Sequence, residues 1–255
     1  MNQKKERSGG RKHDEIRPLV IEPGFIGHAE GSVLVTAGRT RVVVTASVEE
    51  RVPMHLKDKK QGWVTSEYGM LPRATSERTQ REATRGRLGG RTMEIQRIVG
   101  RALRAVTDLG AFGERTIWID CDVLEADGGT RCASISGACV ALALAFAKMR
   151  GDGKVLRPPL RGLVAAVSVG VVDGRMLLDL DYPEDSAAEV DMNVARTDDG
   201  RYIEIQGTAE RAPFARPVVT GLLDLADLGL DEIAKIQRRA LGDALAPLLA
   251  PAPKG

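Results

Sequence analysis

What most constrains this chain is an order of elements that occurs twice. Gly31-Ser-Val-Leu-Val-Thr-Ala37 and Arg41-Val-Val-Val-Thr-Ala-Ser-Val48 flank a turn at Gly38-Arg-Thr, and β-branched runs on both sides of a glycine-bearing turn predict a β-hairpin. Further on, Ile95, Ile98, Val99, Ala102, Leu103 and Val106 recur at helical spacing between Thr92 and Leu109. Thr116–Leu124 alternates like a strand, and Ala133–Met149 is apolar on nearly every side, the pattern of a buried helix. After a linker at 150–160 a second round begins. It has strands over 162–172 and 175–181 about Asp173-Gly174, then a hairpin of 189–195 with 202–206 about Asp198-Asp199-Gly200. An amphipathic helix over 230–249 closes it. Hairpin, loop and helix in both halves, alike in pattern and not in residue identity, predict an α+β fold of two related, duplicated lobes. The expected division is a polar, flexible arm at 1–16, mobile or held by a partner, a first lobe at 17–150 and a second at 161–249. Residues 49–90, with few apolar positions and many Arg, Gly and Thr, read as a long functional loop region.

Composition excludes several classes. With 255 residues, 43% hydrophobic and 28% charged, the chain buries a real core and is too apolar for general disorder. Its three cysteines include no C-x-x-C pair, and its three histidines are far apart with no H-E-x-x-H. A disulfide framework and a Cys- or His-built metal centre are therefore not expected. Cys121, Cys132 and Cys139 sit in apolar or small-residue company and read as buried core. The longest apolar run, Ala138–Ala147, is about half of the ~20 residues a membrane span needs, and the first residues hold no apolar signal segment. A soluble protein of a reducing compartment, the cytoplasm, is the expectation.

Net charge is only +2, but its distribution is uneven. Between Arg73 and Arg104 stand nine arginines, no lysine and three acids. A solvated helix face with ion pairs is the plain reading of such a run. Arginine used alone favours an anion or nucleic-acid surface, because its planar fork binds phosphate bidentately. Trp63 and Tyr68 are candidates for stacking a base and equally for the core.

Two glycine pairs, Gly89-Gly90-Arg91 and Gly128-Gly129-Thr130-Arg131, immediately precede the two expected helices of the first lobe. Paired glycines let backbone approach an anion, and the free N–H groups and dipole of a helix start favour negative charge. Neither a P-loop nor a strand-following G-x-G-x-x-G occurs. A second constellation is acidic: Asp179, Asp181, Glu184, Asp185, Glu189 and Asp191. If 189–195 is a strand, Glu189, Asp191 and Asn193 share one face. Carboxylates this close repel unless a divalent cation or a proton intervenes; a solvated polar strand face is the alternative.

These motifs together resemble the bacterial ribonuclease PH family. The resemblance rests on Gly62-Trp-Val-Thr-Ser-Glu-Tyr-Gly-Met-Leu-Pro-Arg73, Gly89-Gly-Arg-Thr-Met-Glu-Ile-Gln-Arg97, Cys121-Asp-Val-Leu-Glu-Ala-Asp-Gly-Gly-Thr-Arg131 and Glu184-Asp-Ser-Ala-Ala-Glu-Val-Asp-Met-Asn193. It runs from about Arg17 to Ala240. It implies a pair of βαβα lobes, the ribonuclease PH fold, like domain 2 of ribosomal protein S5. It also implies a phosphate-dependent 3′→5′ exoribonuclease and nucleotidyltransferase that trims transfer RNA precursors, and ribosomal RNA as well, releasing nucleoside diphosphates. By the same resemblance Arg91, Gly129, Thr130 and Arg131 bind the attacking phosphate, and Arg73, Arg78 and Arg81 engage RNA. Asp185 and Asp191 are the implied catalytic carboxylates, with Mg²⁺ as the implied cofactor beside the co-substrate inorganic phosphate. A homohexamer built as a trimer of dimers is implied too, with no membrane partner.

Overall fold

The computed structural model describes residues 7–155 and 157–251; the first six residues of the arm, Leu156 and the last four residues of the Pro/Ala tail lie outside the described residues. The first sheet contains β1 (Leu19–Pro23), β2 (Gly31–Ala37), β3 (Thr40–Glu49), β4 (Trp63–Met70) and β5 (Thr116–Glu125), in the order β1-β2-β3-β5-β4. Its pairs are antiparallel except β4 with β5, which run parallel. The parallel pair requires a crossover, made by the short α1 (Glu82–Arg85) and by α2 (Gly90–Ala105), whose apolar face covers β4. From β5 the chain enters α3 (Thr130–Gly151), then the second sheet. This contains β6 (Val164–Val172), β7 (Arg175–Leu178), β8 (Val190–Thr197) and β9 (Tyr202–Ala209), antiparallel in the order β7-β6-β8-β9. The single-turn α4 (Tyr182–Ala187) links β7 to β8, and α5 (Arg216–Leu241) covers the second sheet.

Helix α3 is the centre of the molecule. It packs on β2 and β3 of one sheet, on β6 of the other, and on α2 and α5. This is why it is apolar all round: Ala138, Val140, Leu142, Ala145 and Phe146 are each fully buried. Length and apolarity would let it cross a membrane, but 83% of its most apolar stretch is buried inside the fold. Strand β2 approaches it so closely that a Cβ on Gly31 would lie 2.0 Å from the carbonyl oxygen of Ala141.

Four expectations change. The loop region of 49–90 contains β4, where Val64, Ser66 and Tyr68 are buried at alternate positions; only three inward residues, separated by Thr65 and Glu67 and one of them polar, left a weak period. The last helix begins at Arg216, fourteen residues before 230, with Pro217 in its first turn. It stops at Gly242, which has φ of 50°, and short 3₁₀ turns then bury Leu248. The 150–160 linker is packed, Leu160 being fully buried and bridged to Thr107 and Leu249. Finally, the described part of the arm is anchored. The Arg7 guanidinium is buried and donates to both Glu184 carboxylate oxygens at 2.7 and 2.9 Å and to the Leu178 carbonyl at 2.7 Å. Charge complementarity between Arg7, Arg11 and Arg17 and the acids of 179–184 fastens it to the second lobe.

Candidate functional site

Two helix starts and one acidic turn form the site. Helix α2 has Gly89 as its N-cap and α3 has Gly129, and neither receives a side-chain cap. The first-turn N–H groups of α3 therefore remain open to an anion, whereas at the start of α2 the Glu82 carboxylate accepts from the Gly89 N–H at 3.1 Å and from the Thr92 hydroxyl at 2.8 Å. At α3, Gly129 is left-handed (φ 67°, ψ 17°) and Thr130 is helical, an alternation that turns successive N–H groups into one concavity. Gly128 is also left-handed, and a Cβ there would lie 2.7 Å from the carbonyl oxygen of Leu180, so the turn packs directly against the chain entering α4. Thr130 is buried and its hydroxyl shares a 2.9 Å hydrogen bond with the Tyr68 hydroxyl.

Helix α4 is a single turn held by a capping box. The Asp181 carboxylate accepts from the Glu184 N–H at 3.0 Å, and Glu184 accepts from the Asp181 N–H at 3.1 Å. Asp185 follows on this turn and Asp191 on β8. Burial raises the proton affinity of both. Asp191, pushed up to about 6, is raised further by Asp185 and lowered by Arg131 and Arg91. Both carboxylates therefore feel the two arginines of the glycine-pair turns. The site lies between the lobes, the glycine-pair turns on one side and the carboxylates on the other.

Two buried polar atoms there lack partners, Oδ1 of Asp191 and Nε of Arg131. Orphans of opposite sign mark a place prepared for a ligand with both an anionic and a cationic part. The Arg131 guanidinium is held by Gln206 Oε1 and lies 3.8 Å from Glu94, and Gln206 also donates to Glu94. Among the described residues no group of three or more His, Cys, Asp or Glu is placed to hold a metal. Two carboxylates with one oxygen free still suit Mg²⁺, which takes one or two carboxylates and completes its shell with water and substrate phosphate.

The acidic constellation divides. Asp179, Asp181 and Glu184 are taken by Arg17, Arg11 and Arg7, and Glu189 accepts from the Gly174 N–H. Of the six, Asp185 and Asp191 remain within reach of the arginines of the glycine-pair turns, with the exposed Glu210 adding negative charge nearby. Arg73, Arg78 and Arg81 are exposed on the segment between β4 and α2 and are not among the charges bearing on Asp185 or Asp191. Tyr68 is buried in the core, and one face of Trp63 is taken by the Arg104 guanidinium, 4.4 Å from its ring centre. The cysteines are buried as expected, and desolvation pushes the Cys132 and Cys139 thiols up to about 12. Sequence reasoning missed Arg17, Gln206 and Glu94, whose partners lie more than 30 residues away.

A model described as 3′ exoribonuclease family, domain 1, matches residues 15–147, and one described as domain 2 of that family matches 162–227. Ribonuclease PH of Bacillus subtilis (strain 168) is 55% identical over 243 residues, 95% of this chain and 99% of that protein. Ribonuclease PH of Bacillus pumilus is 55% identical over 92% of this chain and 98% of its own. Among solved structures, rice Rrp46 superposes with a TM-score of 0.74 at 18% identity, over 92% of this chain and 100% of its own. A chain of the Archaeoglobus fulgidus exosome with RNA bound to the active site gives 0.74 at 23% identity, over 90% and 92%. At such identities these two show a shared fold.

Proposed function

We propose a division of labour within the site from one premise: the chain belongs to the ribonuclease PH family of 3′ exoribonucleases, and it is a phosphate-dependent 3′→5′ exoribonuclease acting on transfer RNA precursors. Inorganic phosphate is its co-substrate. An oxygen of phosphate attacks the phosphorus of the last phosphodiester, the bond to the preceding ribose 3′-oxygen breaks, and that oxygen leaves with a proton. The terminal nucleotide departs as a nucleoside diphosphate.

The N–H groups of the Gly129–Thr130–Arg131 turn, with the Arg131 and Arg91 guanidinium groups, hold the phosphate. Phosphoryl transfer depends on placement and charge neutralisation more than on a protein nucleophile, and these are what a helix start beside two arginines supplies. Asp185 and Asp191 are the catalytic carboxylates. They would hold Mg²⁺, which when bound neutralises charge developing on the transferring phosphoryl group and the leaving oxygen. The observation that carries this reading is the pair of orphaned atoms, Asp191 Oδ1 and Arg131 Nε, on side chains near enough for the Arg131 charge to act on Asp191.

Arg73, Arg78 and Arg81 bind RNA. Because they stand apart from their own subunit's carboxylates, they serve a neighbour in a homohexamer of three dimers. We place the lobes at 17–150 and 161–249 and the enzyme's work in the cytoplasm, on precursors of ribosomal as well as transfer RNA.

The test uses a short RNA labelled in its terminal nucleotide, with Mg²⁺, with and without phosphate. Labelled nucleoside diphosphate appears only with phosphate; monophosphate released without it would overturn the reading. Asp185→Asn abolishes turnover while RNA affinity, measured by fluorescence anisotropy, stays within about threefold; retained turnover removes Asp185 from the site. Arg91→Ala raises the KM for phosphate more than that for RNA, and an unchanged phosphate dependence would remove it.

A further inference from the structure

We infer that Arg17 is a positioning residue of the phosphate site: its guanidinium ties the Gly128–Gly129 turn to the strand end that leads into the catalytic carboxylates. This rests on the assignment of that turn as the phosphate site. Arg17 lies outside both glycine-pair motifs and is 5% exposed. On one side it grips Asp179, with Nε to Oδ2 at 2.9 Å, Nη2 to Oδ1 at 2.7 Å and its backbone N–H to Oδ2 at 2.7 Å. On the other side Nη1 donates to the Asp127 carbonyl at 2.6 Å. Nη2 also lies so near the turn that a Cβ on Gly129 would fall 2.8 Å from it.

Geometry gives this strut a function. The Asp127 carbonyl faces Arg17, and the Gly128 carbonyl accepts from Thr40 Oγ1 at 2.7 Å. With its carbonyls drawn inward, the turn presents its N–H groups outward to an anion. Asp179, held by the same guanidinium, sits two residues before Asp181, the N-cap of the turn of helix that carries Asp185. Asp179 adopts a positive φ of 54°, a conformation that persists only where its surroundings impose it. One planar side chain thus fixes the phosphate turn of the first lobe relative to the carboxylates of the second. A lysine keeps the charge and loses the fork. The mismatch would appear in phosphate placement before RNA affinity.

Arg17→Lys, Arg17→Ala and Thr40→Val test this, with KM for phosphate at saturating RNA, KM for RNA at saturating phosphate, kcat, and thermal unfolding. In folded Arg17→Lys the phosphate KM rises roughly tenfold, the size expected when one charge-assisted hydrogen bond is lost, and in Thr40→Val, which removes the neutral hydroxyl bonds to the Gly128 carbonyl and the Asp127 N–H, it rises roughly fivefold. The RNA KM stays within about twofold, and in the reverse reaction the KM for nucleoside diphosphate rises in parallel. Low-millimolar guanidinium, well below denaturing levels, lowers the phosphate KM of Arg17→Ala and leaves the parent unchanged. A phosphate KM within twofold of the parent in a folded variant overturns the inference. So does a loss of kcat in proportion to the folded fraction with both KM values unmoved. If the Arg17 variants do not fold, Thr40→Val decides alone. Arg131→Met, measured beside them, separates the two claims. If it leaves the phosphate KM unchanged, the phosphate-site assignment falls; if it alone raises that KM, only the role of Arg17 falls.

Discussion

Asp191 sits where opposing forces meet: burial and Asp185 favour its neutral form, Arg131 and Arg91 its charge. Burial prevails and pushes it up to about 6. With the folded value above the unfolded one, the native state binds the extra proton between about pH 4 and 6, so stability contributed by this group falls as pH rises through that window. Above it the carboxylate strains the fold. Asp191→Asn in metal-free buffer at pH 7.5 should therefore be more stable than the parent by ~2 kcal/mol, a Tm higher by roughly 4 °C, and inactive. The stability difference should vanish near pH 4. An equal or lower Tm at pH 7.5 would mean that the arginines, rather than burial, set the state of Asp191.

At the scale of elements, the proposed phosphate site is built on helix starts, and both were legible as glycine pairs before apolar-periodic runs. What decides their geometry is less visible. Gly128 needs its left-handed φ and also the space that a Cβ would take from the Leu180 carbonyl. Gly128→Ala should raise the phosphate KM about tenfold or more and lower stability by ~2 kcal/mol; phosphate titration and thermal unfolding together check it, and an unaltered KM would show that the turn tolerates displacement. Strand β4 escaped the reading because a parallel strand covered by a helix needs few inward residues. The early start of α5 escaped it because Val218, Leu222 and Leu225 form an apolar stripe that only the second sheet completes.

For the whole molecule, α3 makes two lobes into one body. Phe146 is fully buried and meets Phe112 edge-on with ring centres 5.3 Å apart. Phe146→Ala should cost 3–5 kcal/mol, the range for removing a buried aromatic, and because the same helix backs the second sheet, probes in either lobe should report one unfolding transition. Two separated transitions would mean that the lobes unfold independently. The anchored arm belongs to this scale as well: its Arg7 and Arg11, with Arg17 just after it, neutralise Glu184, Asp181 and Asp179 of the second lobe.

The sequence by itself determined the α+β class, the three hairpins, the apolar central helix, the glycine pairs at two helix starts and the family resemblance. Each is written in local spacing, in glycine placement or in contiguous motifs, so neighbours along the chain suffice to read it. Tertiary structure alone decided which of the six clustered acids stay free for chemistry, because that depends on Arg7, Arg11 and Arg17 arriving from more than 150 residues away. It also brought the arginines of the two glycine-pair turns within reach of Asp185 and Asp191, an arrangement that exists only once α3 has packed both sheets together. Charge pairing acts through space, and a one-dimensional pattern carries no record of which opposite charge will be near when the core closes.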